Sequence, residues 1–469
     1  MYFLTWNMEI SNKEDNSVFV RQNFWYDLQN SPQKYAHIIM IATKPDIIKQ
    51  APLYLELKKR WELVILIHTW QHYDYNLSKW VLAEFWMNVD INLNIFWKIH
   101  KKFSLVIERL WDILVDINEN YKKIPVPYVH WDTMTATTAD KAAFLNKFAV
   151  VHVEAWIRTF TPNKKFYHKL FNDYKNGNFS WNDYYKSLHD FDLYETWSIE
   201  PYPEQFDTRW IEASTGLFAA PVALYEKTLK NEWFPKEHIK VVWNTVADAI
   251  EISKGKISNS NAFEKYPNMK WKPFLFITIH RRENTEKKER FLVIYNAIKK
   301  LIEDWVNVCF LWLYASEFAI DKYWLRADIE KLKEKYKDNF AYWPALAHHA
   351  EVIEMISEAW AVVTDSWSMQ EEANIVWVPC VTVRFGSDRT ETILDGSNII
   401  APPINSNLIF DIVKWSISNK KMIKKNHLYW ENVSSKIVNE VLNMLKKDGK
   451  LFKYDDERLD LEQFFNWNI

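Results

Sequence analysis

Short apolar runs alternate with amphipathic stretches along most of the chain. His37–Ile41 and Leu63–Ile67 are each five residues long and bounded by polar turns, so they predict buried strands. Between them, Asp46–Lys59 sets Ile47, Ile48, Leu53, Leu55 and Leu57 at helical spacing. The rhythm continues with a long amphipathic helix around 95–118, a strand ending at Tyr128-Val129-His130, a helix over Thr137–Lys147 and a strand at Val150–Val153. It resumes at Gly216–Ala220, followed by a helix from Pro221 to Lys230 and a strand at Ile239–Val242. A second series opens with the strand Phe274–Ile279 and the helix Lys287–Glu303. Val306–Leu313, Asp328–Lys337, Glu351–Glu358, Ala361–Thr364, Glu371–Ile375 and Cys380–Val383 carry it on. Strands alternating with helices predict parallel sheets covered on both faces, with ligands at the carboxyl ends of strands. The fold class expected is α/β, two Rossmann-like domains with a cleft between them.

The boundaries follow from breaks in that rhythm. Residues 1–34 form a polar extension with scattered aromatics, and 35–228 a first domain. Within it 161–202 is polar and aromatic, an insertion or lid rather than a sheet element. Residues 229–432 form the second domain, with a polar linker at about 252–270. In 433–469 a helix around 433–447 is expected to pack back on the first domain.

Composition changes this picture in one respect. Lys+Arg 59 against Asp+Glu 61 leaves no basic face for nucleic acid or an anionic membrane. No apolar run of about 18 residues suggests a membrane span, and the polar start is not a signal peptide, which places the chain in the cytoplasm. Cys309 and Cys380 lie in apolar runs and read as core residues, with no metal site implied. The anomaly is 6 glycines beside 26 tryptophans. Together they come close to the usual glycine share of about 7%. Tryptophans also stand where turns want glycine: Trp70, Trp131, Trp156, Trp243, Trp367 and Trp377. A gene that reads UGA as glycine, translated with UGA as tryptophan, would give this pattern; a genuinely tryptophan-rich chain is the alternative.

The chemistry-bearing residues cluster at strand ends. In Ala361–Glu372 a buried strand hands over to a helix at Asp365-Ser366, where free N–H groups, the helix dipole and the Ser366 and Ser368 hydroxyls suit phosphate. Glu371 and Glu372, one turn on, suit sugar hydroxyls, and Trp367 fills the turn where close phosphate approach wants glycine. A capped helix with solvated acids is the plain alternative. His280-Arg281-Arg282-Glu283-Asn284 follows the next strand, where guanidinium groups can neutralise a diphosphate. Arg384, Arg389 and Glu391 repeat that arrangement. In the first domain Asp132, Glu154 and Glu204 stand at corresponding positions, where burial can raise a carboxyl pKa for acid–base work.

With those tryptophans taken as glycine, the chain resembles the non-hydrolysing UDP-N-acetylglucosamine 2-epimerases from about residue 37 to 445. The family's blocks occur in order: Thr43–Asp46, TGQH at Thr69–His72, GDT at Trp131–Thr133 and HVEAG-x-RT at His152–Thr159. Pro203-Glu204, GNT at Trp243–Thr245, HRREN at His280–Asn284, TDSGG-x-QEE at Thr364–Glu372 and the Arg384–Glu391 strand end follow. The resemblance implies a glycosyltransferase-B-like fold with UDP held by the second domain, no cofactor, a homodimer, and a place in cell-surface polysaccharide biosynthesis. It implies catalytic roles for Asp132, Glu154, Glu204 and His280. Lys44, Lys49, Gln71, His72, Arg158, Arg281, Glu283, Asn284, Ser366, Trp367, Ser368, Glu372, Arg384 and Arg389 would bind the UDP-sugar. The implied reaction removes the C2 proton and expels UDP, then adds UDP back as C2 is reprotonated from the other face, giving UDP-N-acetylmannosamine. Lys44 for arginine, Asp388 for glutamate, Asp207-Thr208 and the 161–202 segment depart from the pattern and leave open another UDP-2-acetamido sugar, such as a 2,3-diacetamido uronic acid. A glycosyltransferase of the same fold remains the more distant alternative.

Overall fold

The computed structural model describes residues 17–69, 75–95, 97, 99–195, 198, 200–201, 204–344, 346–419, 428–453 and 455–461. An eight-stranded sheet contains β1 (Phe19–Val20), β2 (Tyr35–Ile41), β3 (Leu63–His68), β4 (Ile91–Asn92), β5 (Ile124–His130) and β6 (Val150–Val153). β7 (Thr161–Pro162) and β8 (Tyr194–Glu195) form a separate antiparallel pair, and β9 (Thr215–Ala220) and β10 (Ile239–Val241) complete the first sheet. Its order is β1-β4-β3-β2-β5-β6-β9-β10, with only β1 antiparallel to its neighbour among these pairings. A second, all-parallel sheet contains β11 (Leu275–Thr278), β12 (Val308–Trp312), β13 (Phe340–Pro344), β14 (Ala361–Thr364), β15 (Cys380–Thr382) and β16 (Asn398–Ile400). Its order is β13-β12-β11-β14-β15-β16.

Both sheets are buried on two faces, so their strands read as unbroken apolar runs. Along β2, Ile39 and Ile41 enter one core while Ala36, Ile38 and Met40 enter the core on the opposite face. Leu275 and Ile277 of β11 likewise separate from Phe276. In each sheet the strand order reverses direction once near the middle, between β2 and β5 in the first and between β11 and β14 in the second. Such reversals leave a crevice at the carboxyl ends where ligands bind.

Several expectations are corrected. Within the 1–34 extension, the described residues join the first sheet and its core: Phe19–Val20 pairs with Ile91-Asn92, and the helix Phe24–Asn30 buries Phe24 and Leu28 in the same core as Ala36, Ile38 and Met40 of β2. β10 pairs with β9, so the first sheet runs past the expected boundary at 228. The 252–270 stretch is no open linker, since the helix Val246–Lys254 runs into it, the short helix Ala262–Lys265 lies within it, and Tyr266 and Met269 are buried. The helix expected over Thr137–Lys147 starts earlier, at Met134, because the Thr133 hydroxyl caps it by accepting from Ala136 N–H. The 161–202 segment, expected to hold no sheet element, pairs Thr161–Pro162 with Tyr194–Glu195, and its helices Lys164–Lys175 and Trp181–Ser187 pack on the second half. The helix Val433–Asp448 buries Val433, Ile437, Val438, Val441 and Leu445 beside Ile47, Ala51 and Leu57 of the first half. Among the described residues no helix is long and apolar enough to cross a membrane.

Candidate functional site

The two strand-order reversals face each other. From the first half, the turn after β2 leads into the helix Lys44–Lys59, whose start is closed by Thr43 and Asp46 in a reciprocal capping box. One turn further on, fully buried Lys49 lies 2.6 Å from Glu154 of its own half and reaches across to Glu371 of the second half at 2.5 Å. Arg389 joins them, with Nη2 3.0 Å from Glu154 Oε2 and Nε on Glu371 Oε1, and Asn244 Nδ2 donates to Glu371 at 2.6 Å. Two buried carboxylates thus share two buried cations across the halves. Burial alone would push Glu154 up, but Lys49, His130 and Arg389 together hold it below the usual carboxylate range. Burial raises Glu371 against the same cations.

His130, at the end of β5, was not singled out from sequence. Its Nδ1 lies 3.0 Å from Asp46 and its Nε2 3.2 Å from Glu154. These carboxylates outweigh burial and raise its pKa, which favours the charged imidazolium beside Glu154. A histidine just ahead of the Trp131-Asp132 turn was the available signal.

Asp132 follows directly. It is 2% exposed, and Oδ2 has no hydrogen-bond partner. Burial pushes its carboxyl well above the usual range, Glu204 adds to this, and Arg281 opposes it. Glu204 opens the helix Glu204–Glu212 and accepts from Arg281 Nη1 at 2.9 Å through Oε1, while Oε2 has no hydrogen-bond partner. Arg281 keeps Nε and Nη2 without hydrogen bonds, although Nη2 lies 4.0 Å from Asp388.

On the second half, Asp365 organises the reversal point, a role the sequence did not reveal. Its carboxylate accepts from the backbone N–H groups of His280 (2.9 Å) and Arg281 (3.0 Å) and from Asn284 Nδ2 (3.0 Å). The His280 ring stands 3.4 Å from Asp365. Burial lowers its pKa despite that carboxylate, favouring the neutral imidazole. Ser366 precedes the helix Trp367–Ile375 without a side-chain capping bond, and its hydroxyl is 3.1 Å from that of Ser368. Glu372 lies 3.2 Å from His349 Nε2 through one oxygen, and its other oxygen has no hydrogen-bond partner. Lys44 donates to Leu346 O across the halves at 2.9 Å, and burial lowers its pKa. Burial raises Glu283, which has one unbonded oxygen.

Some expected ligands are committed elsewhere. Asn284 braces Asp365 and Val383 O with its amide. Arg158 is bound to Glu212, with Glu232 at 3.6 Å and Thr208 at 3.4 Å, so it closes a buried ion pair on the helix Glu204–Glu212. Arg384 is paired with Asp388 at 2.7 Å. Gln71 and His72 lie outside the described residues. Among the described residues no group of three His, Cys, Asp or Glu is placed to hold a metal ion.

Two indoles meet where the reversal points face. Trp131, fully buried, and Trp367, 8% exposed, pack edge to face with centroids 4.3 Å apart. Lys49 sits 4.3 Å from the Trp367 ring and Arg389 4.3 Å from that of Trp131. The space flanked by Asp132, Ser366 and the paired cations is filled by these rings.

A sequence model described as UDP-N-acetylglucosamine 2-epimerase matches residues 55–169 and 196–443. A UDP-N-acetylglucosamine 2-epimerase homolog of Methanococcus maripaludis is 26% identical over 413 residues, 87% of this chain and 99% of its own length. The UDP-N-acetylglucosamine 2-epimerase of Bacillus subtilis is 26% identical over 426 residues, 87% of this chain and 96% of its own. Among solved structures, Methanocaldococcus jannaschii UDP-GlcNAc 2-epimerase in complex with UDP-GlcNAc and UDP superposes with a TM-score of 0.68. It is 24% identical, covering 87% of this chain and 99% of that one. The Neisseria meningitidis enzyme bound to UDP-GlcNAc gives the same TM-score at 23% identity, covering 87% of this chain and 100% of that one. These likenesses establish the fold, two Rossmann-like domains of glycosyltransferase-B type.

Proposed function

Because the chain belongs to the UDP-N-acetylglucosamine 2-epimerase family, we propose that it interconverts UDP-N-acetylglucosamine and UDP-N-acetylmannosamine by eliminating and re-adding UDP. The observation that carries this is the pair Asp132 and Glu204, two carboxyls with unbonded oxygens beside Arg281. Epimerisation at C2 needs one group to remove the proton and another to return it on the opposite face. Asp132, whose carboxyl burial pushes well above the usual range, is the donor; Glu204 is the base. Glu154 is less suited to either task, since Lys49, His130 and Arg389 hold its charge, and its role is to fix Lys49 and Arg389. The free guanidinium donors of Arg281, the neutral His280 and the Ser366–Ser368 hydroxyls at a helix N-terminus stabilise the departing diphosphate. Glu372 takes the ribose hydroxyls. The protein acts in the cytoplasm as a homodimer, which light scattering on the purified chain tests.

The same proposal requires an open cleft, and therefore glycine where Trp131 and Trp367 stand. Six helices support glycine at tryptophan positions generally, for each ends in a Schellman motif with tryptophan in the left-handed position. After Lys44–Lys59, Trp61 has φ 61° and Glu62 N–H donates to Leu57 O. Trp86, Trp233, Trp305, Trp324 and Trp377 repeat this geometry with φ between 52° and 70°. Trp131, Trp156 and Trp243 are left-handed at strand ends. UGA codons at these positions in the gene support recoding to glycine; UGG at Trp131, Trp156 and Trp367 overturns it. The activity is tested by incubating the glycine-bearing protein with UDP-N-acetylglucosamine in D2O. Deuterium at C2 with a new UDP-N-acetylmannosamine signal is the expected result. A folded, UDP-binding protein without exchange overturns the proposal.

A further inference from the structure

The family match leaves residues 170–195 uncovered, within a segment that begins in the first half yet packs on the second. Four of its tyrosine hydroxyls donate across that boundary: Tyr167 to Phe385 O, Tyr174 to Asp411 at 2.7 Å, Tyr184 to Ile400 O at 2.7 Å and Tyr185 to Gly396 O at 2.6 Å. Two of the six glycines lie under it. A Cβ on Gly386 would stand 2.3 Å from Thr161 Oγ1, and one on Gly396 would stand 2.5 Å from the Tyr185 hydroxyl. The contact leaves no room for side chains at these points.

Its start grips the turn between Arg384 and Arg389 almost residue by residue. Tyr167 holds Phe385 by its hydroxyl and by a perpendicular ring contact at 5.7 Å. Phe160 and Ser387 exchange backbone hydrogen bonds of 3.1 and 3.0 Å. The Thr159 hydroxyl donates to Asp388, and Asp388 in turn holds Arg384. The same Asp388 lies 4.0 Å from Arg281 Nη2, which ties the turn to the candidate diphosphate site, and the Arg384 charge adds to the field on His280 and Glu283 there.

We infer that Tyr167 is a positioning residue for the Arg384–Arg389 turn, by which the 161–195 segment holds Asp388, between Arg384 and Arg281, at the edge of the diphosphate site. The inference rests on the epimerase reading for the identity of the ligand. Tyr167→Phe keeps the ring and removes the hydroxyl; Tyr174→Phe removes an equivalent cross-boundary bond whose acceptor, Asp411, is not part of the turn. In the glycine-bearing full chain, Tyr167→Phe is expected to raise the Kd for UDP and lower kcat for C2 exchange, each about five- to tenfold. Tyr174→Phe is expected to lower the melting temperature similarly while leaving both quantities at parental values. Should Tyr167→Phe fail to fold, Thr159→Val, which removes the hydroxyl on Asp388, carries the same expected rise in Kd. Parental Kd in these turn variants, or equal losses in the Tyr174 variant, would overturn the inference. A parent that binds UDP without C2 exchange sinks the epimerase reading alone, because the UDP titration still reports on where Asp388 is held.

Discussion

Asp132 and Glu154 follow neighbouring strands, are almost equally buried, and have their carboxyl pKa values driven in opposite directions by what surrounds them. For Asp132 the folded value lies above the unfolded one of about 3.9, so the folded state binds the extra proton. Its contribution is therefore lost as pH rises from the unfolded value towards the folded one. Asp132→Asn, which stays neutral, is expected to melt above the parent at pH 8, with the gap closing towards pH 4, while C2 exchange falls at least about a hundredfold. Thermal melts across pH, paired with the NMR assay, check both halves of this expectation. Lys49 is the reverse case, a cation shared by Glu154 and Glu371. Lys49→Met leaves buried carboxylates short of a partner and is expected to cost about 3–5 kcal/mol in urea unfolding at pH 7. The loss should shrink towards pH 5, where one carboxylate takes up a proton.

Helix ends give the clearest statement of what these elements require. Trp61, Trp233, Trp305 and Trp324 are between 71% and 93% exposed, so their rings are held by little packing while their backbones are left-handed. A side chain there costs roughly 1–2 kcal/mol, partly offset by the freedom glycine adds to the unfolded chain. Replacing the four with glycine is expected to stabilise the protein by about 1 kcal/mol at each site, measured by urea midpoints at constant m-value. The sequence pointed to tryptophan at turns such as Trp131, Trp156 and Trp243, but not to these four helix ends, whose left-handed backbone shows only once the helix C-termini are placed. It made strands such as β2 and β11 visible because burial on both faces leaves no polar position to break the run. The Lys164–Lys175 helix stayed hidden because its apolar face is built from tyrosine and phenylalanine among lysines and asparagines, and each tyrosine finds its acceptor only in a distant part of the chain.

At the scale of the whole molecule, strand-end position was legible and side-chain commitment was not. Asp132 and Arg281 meet across the halves as strand-end logic expects, while Glu204, expected at a strand end too, reaches Arg281 from the start of the helix Glu204–Glu212. Arg158 and Asn284 occupy equivalent positions in sequence, yet they turn towards Glu212 and Asp365, partners that no local spacing reveals. The same holds for the last helix. Its apolar period announced Val433–Asp448, but its start is secured from elsewhere: Asn432 makes no side-chain cap, and Asp248 accepts from Val433 N–H (3.1 Å), Ser434 N–H (2.8 Å) and the Ser434 hydroxyl (2.6 Å). A carboxylate at a helix N-terminus satisfies free N–H groups and complements the dipole, and losing such a cap costs about 1–2 kcal/mol. Asp248→Ala is therefore expected to lower the urea midpoint and to speed amide exchange along 433–448 and in the Lys44–Lys59 helix packed against it. Because Lys49 lies on that second helix and bridges to Glu371, the disturbance should reach the site as weaker UDP binding. Hydrogen exchange followed by mass spectrometry decides the matter: unchanged protection in both helices would mean that the C-terminal helix holds its place by apolar packing alone.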